Sequence, residues 1–471
     1  MGGVNKRAIP VAAIVAFTFF LVFSPHIGYR FPLHIDEWRH ITEAKHIVEG
    51  TYRFDRMSAL EYPFAAFLSL IFRAVDIILF YRFLPALFAC ASSLALFFVM
   101  LRLTGKYPSA LLAMVFFASL RSNVNVLGLW FLTPLTMAIP LIYLFFIFFQ
   151  EGIDGDRKKM WWSIGLLAIT FFIHPLSALF TIPIIGVCGI IKWKKIKDMM
   201  IPLISGGVIT LFSGILLFRA YLWKGSMGKT LWMIGEMLIF KHGWGVLELD
   251  IGLSSIISWL LIILALVGAV LLRKRIVFIA WPAVLIILKI LYELFHIGLF
   301  VPYQRLVYYL ALGIIPLSAA GGYYLFREIF HISPKRWNVP LSFLCIMILI
   351  IVPFIGYGKT DEQVAVYHII DEYDYTSLLA LKEFPKGRVM ARVDYSAAVL
   401  AMTPHEIFAT YYFYGDRKVV EKFYQLEYCD EMEEFYKTNK VDYVIFWAEP
   451  KCPWNLAYKD KVFIYDVGDI R

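Results

Sequence analysis

Long apolar runs separated by short charged loops set the pattern of this chain. Runs of about 18 apolar residues or more predict transmembrane helices. Apolar segments read as spans, several of them shorter than that, fall near Ile9–Phe23, Arg82–Leu101, Ala110–Leu120, Phe131–Phe149, Trp161–Ile173, Ala178–Ile191, Ile201–Leu222, Ile256–Leu272, Ile276–Phe300, Leu306–Phe326 and Pro340–Tyr357. That reading gives about eleven spans. The apolar stretch Pro63–Phe80 is interrupted by Arg73 and Asp76, which predicts a helix lying in the membrane interface. The segment Trp223–Ser254 mixes Trp and Met with lysines, so it reads as an outer interfacial loop. After Tyr357 the pattern changes. Short β-type runs (GRVMARVD, VDYVIFW, KVFIYDVGD) alternate with polar helical stretches such as CDEMEEFYKTN, predicting a small α/β domain. The expected organisation is therefore a membrane domain over 1–357 and a soluble α/β domain over 358–471.

Composition agrees with that pattern. Of 471 residues, 60% are hydrophobic and 17% charged, against about 25% charged in a soluble domain. The net charge of +9 carries mainly topological information. Lys6-Arg7, Arg102 with Lys106, Arg157-Lys158-Lys159, the Lys192–Lys197 run, Arg273-Lys274-Arg275, and Arg327 with Lys335-Arg336 occupy alternate loops, which the positive-inside rule assigns to the cytoplasm. The expected protein is a multi-pass one of the cell membrane, with a cytoplasmic N-terminus and an extracytoplasmic C-terminal domain. The basic residues form no single patch, so a nucleic-acid partner is excluded. The first span lacks an A-x-A cleavage site and reads as an uncleaved anchor. Cys90, Cys188 and Cys345 lie in spans, whereas Cys429 and Cys452 lie in the outer tail, where a disulfide is permitted.

Candidate chemistry concentrates after the first span, in HIDEWRHITEAKHIVEG. The segment has a helical pattern that stops at Gly50, and helical spacing places Asp36, His40 and Glu43 on one face. A carboxylate held at the membrane boundary is suited to general-base work, because desolvation raises its proton affinity. Glu37-x-x-His40 and Glu43-x-x-His46 repeat the spacing of di-iron ligands. Six residues turn a helix through about 600°, however, so the pairs diverge and no metal set is assigned. Glu61, in LEYPF, shares the outer loop with the acidic pair. Arg82, opening the next span, and Arg305, in VPYQRLVYY, add guanidinium groups that match phosphate oxygens. His174, before Pro175, marks a helix break.

This layout resembles the GT-C superfamily of glycosyltransferases. The residues that carry the resemblance are the first span, the acidic pair Asp36-Glu37 with its helix, the Glu61-Tyr62-Pro63 element, and the Arg82-led second span. The tail, EEFYKTNKVDYVIFW then VFIYDVG, is similar to the soluble domain of archaeal members. The resemblance implies a polytopic α-helical, GT-C-like enzyme that takes a sugar from a polyprenyl (dolichyl) phosphate carrier. The sugar would pass to a hydroxyl acceptor on a lipid, glycan or protein. On that basis Asp36 matches the catalytic base and Glu37 its acidic neighbour. Glu61 matches a positioning acid and Arg305 a carrier-phosphate ligand, while His40, Tyr62, Arg82, His174 and Tyr303 complete the substrate-binding candidates. No cofactor is called for, and no divalent metal is indicated. The WWDYG motif of oligosaccharyltransferases is absent. Two rival classes are a transporter or flippase of lipid-linked sugars and a non-catalytic envelope assembly protein. Only an enzyme should lose turnover when Asp36 is replaced.

Overall fold

A computed structural model of the protein describes residues 7–52, 58–122, 127–197, 202, 205–207, 239–240, 252–296, 298–299, 301–332, 338–357, 367–410 and 415–468. Apart from Ile201–Leu222, which lies almost wholly outside these residues, every predicted span is helical. The helices run Ala8–Phe23, Leu84–Thr104, Tyr107–Ala118, Pro134–Ile153, Arg157–Ile173, Pro175–Leu179 with Thr181–Ile191, Trp259–Leu271, Ile276–Phe295, Tyr303–Ile332 and Asn338–Ile351. Among the described residues, 5 segments are long and apolar enough to cross a membrane. Most of the Trp223–Ser254 loop is outside the described residues. Within it, Ile239–Phe240 pairs antiparallel with Gly298–Leu299. The charged interruption in Pro63–Phe80 proves to be a helix boundary. One helix covers Ser58–Ala74, and Asp76 caps the next, Ile77–Phe80, by accepting the N–H of Ile78 at 3.0 Å. A side-chain cap satisfies a donor that a new helix start leaves unpaired.

The chain divides into two compact units. One comprises Met1–Ile27, Arg53–Phe64 and Phe83–Asp361; the other comprises Gly28–Tyr52, Ala65–Arg82 and Glu362–Arg471. In the first, the helical unit, Tyr303–Ile332 is buried through most of its length, while Ala8–Phe23 stays largely exposed. Trp259–Leu271 packs on the buried helix through glycines. A Cβ on Gly268 would lie 1.8 Å from the carbonyl oxygen of Leu317, and one on Gly321 would lie 2.0 Å from that of Leu264. Lipid supplies little hydrophobic drive between such helices, so close backbone approach through small residues provides the packing.

Among its described residues the second, the sheet unit, contains five strands: β1 Arg388–Met390, β2 Glu406–Ile407, β3 Tyr443–Phe446, β4 Asn455–Lys459 and β5 Phe463–Asp466. Their order is β2-β1-β3-β5-β4, with β1 parallel to β2 and β3 and the last two pairings antiparallel. Phe423, Tyr436, Val444, Trp454 and Tyr465 lie in its core. A Cys429–Cys452 disulfide adds a covalent tie across 23 residues.

The helix Ile35–Val48 belongs to this unit too. Its buried face, Ile35, Trp38, Ile41 and Ala44, recurs every three residues, as an amphipathic helix requires. It packs on the helix Ser396–Met402. Lys45 Nζ donates to the carbonyls of Leu400, at 2.9 Å, and Thr403. A cation there answers the unpaired carbonyls at a helix C-terminus. The preceding loop is sewn to the C-terminal chain at several points. His34 bridges Tyr367, Leu33 accepts the N–H of His368 at 2.9 Å, Tyr29 donates its hydroxyl to Ile370 at 3.0 Å, and Arg30 pairs with Glu372.

Candidate functional site

In the sheet unit the acidic pair sits in the first turn of Ile35–Val48, and its two members do different things. Glu37 is fully buried, and its Oε2 accepts the N–H groups of Leu33 at 2.8 Å and His34 at 3.1 Å. The His34 imidazole reciprocates, with Nδ1 accepting the N–H of Asp36 at 3.1 Å. This reciprocal capping fixes how the chain enters the helix. Asp36 keeps 26% of its side chain exposed, with His34 Nδ1 3.7 Å from its carboxylate. A buried acid clamps the loop, and an accessible one is presented beside it.

The face expected to carry Asp36, His40 and Glu43 is partly assembled. His40 and Glu43 meet at 3.8 Å, and Arg39 Nε lies 3.3 Å from Glu43. Burial holds His40 below the usual imidazole value. Burial pushes Glu43 up, but Arg39 and His40 together outweigh it and hold the carboxylate below its usual range. The two Glu-x-x-His pairs do not converge, since Glu37 is engaged by backbone N–H groups and His46 by Thr51 at 2.9 Å. Among the described residues, no group of three or more His, Cys, Asp or Glu is placed to share a metal ion.

The other candidates of this region are less gathered. Arg82 is half-buried in the turn Tyr81–Phe83 of the sheet unit. Tyr62 is exposed on the helix Ser58–Ala74. Glu61 lies on that helix, but its side chain is outside the described residues. Two tyrosines escaped the sequence reading. Tyr81 is fully buried within electrostatic reach of Glu37 and Asp36, and Tyr29 is within reach of Glu37 and Asp374. Neither stands in a recognisable motif, although Tyr81 adjoins Arg82.

The helical unit carries a second set. His174 occupies the break between Arg157–Ile173 and Pro175–Leu179, where Pro175 cannot supply an N–H to continue the helix. Its Nδ1 lies 2.7 Å from Ser177 Oγ, which lies 2.8 Å from the Tyr309 hydroxyl. Arg305 stands one turn before Tyr309, is only 7% exposed, and acts electrostatically on Tyr308 and Tyr309. Tyr303 donates its hydroxyl to Glu293 at 3.0 Å, and Glu293 also pairs with Lys289. Tyr309 lies within a predicted apolar span and Ser177 in the short turn after Pro175, so only the fold reveals them as partners. This arrangement offers a desolvated guanidinium among neutral hydroxyls, a setting that favours an anionic oxygen.

The helical unit is a bundle of apolar helices, and the sheet unit holds the capped acidic helix and the C-terminal α/β sheet. The polytopic architecture with a small C-terminal α/β domain is as expected. The chain is similar to the oligosaccharyltransferase AglB of Archaeoglobus fulgidus, solved with dolichol-phosphate and an inhibitory peptide, at 12% identity and a TM-score of 0.53, covering 92% of this chain and 69% of that one. It is similar to ArnT of Cupriavidus metallidurans, solved in the apo state, at 10% identity and a TM-score of 0.55, covering 98% of both chains. At such identities the likeness is one of fold. No family model matches the sequence, and no curated protein matches it.

Proposed function

We propose that this chain is an integral-membrane glycosyltransferase, moving a sugar from a polyprenyl (dolichyl) phosphate carrier to a hydroxyl acceptor, with Asp36 as the general base. The observation that carries the reading is the division of labour in the acidic pair. Glu37 is buried and consumed by the loop, while Asp36 is partly exposed and oriented beside His34. A base needs access to the proton it takes and a fixed direction from which to take it.

The chemistry follows from elementary steps. The acceptor O–H gives its proton to the Asp36 carboxylate as its oxygen bonds to the sugar's anomeric carbon. The bond from that carbon to the lipid phosphate breaks, and its electron pair leaves on phosphate oxygen. Arg305, with the hydroxyls of Tyr309 and Ser177 nearby, supplies positive charge and hydrogen bonds for a phosphate group, the type of stabilisation that costs no reorganisation during reaction. His174, Tyr303, Tyr62, Arg82 and Glu61 are substrate-positioning residues in this reading. The positive-inside pattern supports a reaction at the outer face, where a lipid-borne donor would be available and a cytosolic nucleotide sugar would not. The AglB structure with dolichol-phosphate lends support through the shared fold.

The test is transfer from radiolabelled polyprenyl-phosphate sugars in nanodiscs, comparing the intact chain with Asp36→Asn. Loss of a general base should lower turnover by about 10²- to 10⁴-fold while donor binding persists. Equal turnover by both proteins removes Asp36 as the base; no transfer from any carrier removes the proposal as a whole and favours a transporter.

A further inference from the structure

The C-terminal sheet winds in two directions. From β1 the chain passes through Ser396–Met402 to β2 on one side. It then returns through the helices Arg417–Phe423 and Cys429–Asn439 to β3, on the other side of β1. These three strands are parallel, so each ends at the same edge of the sheet. Right-handed crossovers that run in opposite directions put their helices on opposite faces, and the ends of the two diverging strands are left uncovered between them. In open α/β sheets that reversal is the place where ligands bind.

Here it falls between β1 and β3, and the residues that follow these strands are polar and aromatic. Arg392 grips Asp394 with two prongs, Nη2 to Oδ2 at 2.5 Å and Nε to Oδ1 at 3.3 Å. Its guanidinium lies 4.8 Å from the ring centroid of Trp447, the residue directly after β3. Trp447 Nε1 donates to Asp374 Oδ1 at 3.3 Å. The Tyr424 hydroxyl ties the strand ends together, donating to the Ile445 carbonyl at 2.8 Å and lying 3.3 Å from that of Met390. Asp394 serves no helix, because Ser396–Met402 begins without a side-chain cap. Its side chain is nevertheless only 9% exposed, while that of Arg392 is 52% exposed.

The geometry points to a carbohydrate-binding site at the carboxyl ends of β1 and β3, built from Arg392, Asp394, Asp374 and Trp447. Two carboxylates face one guanidinium, so a phosphate or nucleotide would meet net negative charge. An apolar ligand would strip water from charged groups without replacing it. A neutral polyol meets neither obstacle. Its hydroxyls donate to carboxylate oxygens and accept from the guanidinium N–H groups, of which Asp394 uses two of the five that arginine carries. Its C–H groups suit the part of the half-buried indole that the Arg392 guanidinium and the Tyr395 ring leave uncovered. The inference stands apart from sugar transfer, since it requires only binding.

The test uses the full chain in nanodiscs, titrated with mannotriose, chitotriose and maltotriose by saturation-transfer NMR and tryptophan fluorescence. At least one sugar should bind saturably. Arg392→Lys, which keeps a cation beside the buried Asp394 but loses the guanidinium fork, and Trp447→Phe should each weaken that binding tenfold or more, and Asp36→Asn should leave it unchanged. Absence of binding by all three sugars overturns the site. So does binding indifferent to both substitutions, or displacement of the sugar by inorganic phosphate. A chain that binds sugar but transfers none keeps this site and removes the transfer reading; one that transfers but does not bind does the reverse.

Discussion

Replacing Glu37 separates clamping from catalysis within the acidic pair. Its Oε2 alone receives both the Leu33 and His34 N–H groups, and the residue is fully buried. Alanine would strand two buried donors at about 1–3 kcal/mol each, or roughly 2–6 kcal/mol together. Glutamine can place its carbonyl oxygen where Oε2 stood and accept both N–H groups, losing only the charge assistance, about 1 kcal/mol. The loss is local to the Gly28–His34 loop and the start of its helix, so limited proteolysis in nanodiscs is the suitable assay. When opening is fast relative to cleavage, the rate follows the population of the open form. At about 1.4 kcal/mol per decade, Glu37→Ala should speed cleavage of the loop by between about 30-fold and 10⁴-fold. Glu37→Gln should speed it only about 5-fold and should retain sugar transfer. Equal cleavage of the two variants would refute the hydrogen-bond account. Loss of transfer in Glu37→Gln with its loop intact would show that Glu37 acts on substrate directly.

Further consequences concern stability. Breaking the Cys429–Cys452 disulfide by paired alanine substitutions frees a 23-residue separation, worth about 3 kcal/mol on the loop-closure scale; thermal melting should fall, and reductant should then have no further effect. Gly268→Val or Gly321→Val drives a side chain into a backbone carbonyl and should cost at least the roughly 1–3 kcal/mol of overpacking, read as loss of monodisperse protein on size-exclusion chromatography. Acid should loosen the Asp36 helix in two steps. His40 is held below its ordinary 6.5 and Glu43 below its ordinary 4.5, so each contributes stability above its ordinary value and loses it as pH falls toward the folded-state value. His40→Gln should remove the step that starts below pH 6.5 in a pH series of melting curves and leave the more acid one.

The apolar periodicity by itself determined the helices, because burying apolar side chains in lipid or in a core demands runs of that length whatever their neighbours are. The alternation after Tyr357 likewise determined strands and helices of a small sheet. The acidic pair stood out in the sequence as a candidate, since charge beside a span is conspicuous in an oily chain. The residue pattern alone did not divide Asp36 from Glu37; only the resemblance matched Asp36 to a base and Glu37 to its neighbour. They part only when the helix entry turns Glu37 toward the Leu33 and His34 amides. Nor could the sequence associate Gly28–Tyr52 with residues beyond 362, for Lys45 meets Leu400 and Thr403 across more than 350 positions. Tyr309 read as a span residue and Ser177 as part of the turn between two spans until the fold set their hydroxyls 2.8 Å apart. Local pattern fixes what each segment can become. Which carboxylate is buried, and which distant groups share a site, depends on long-range packing that no window of sequence contains.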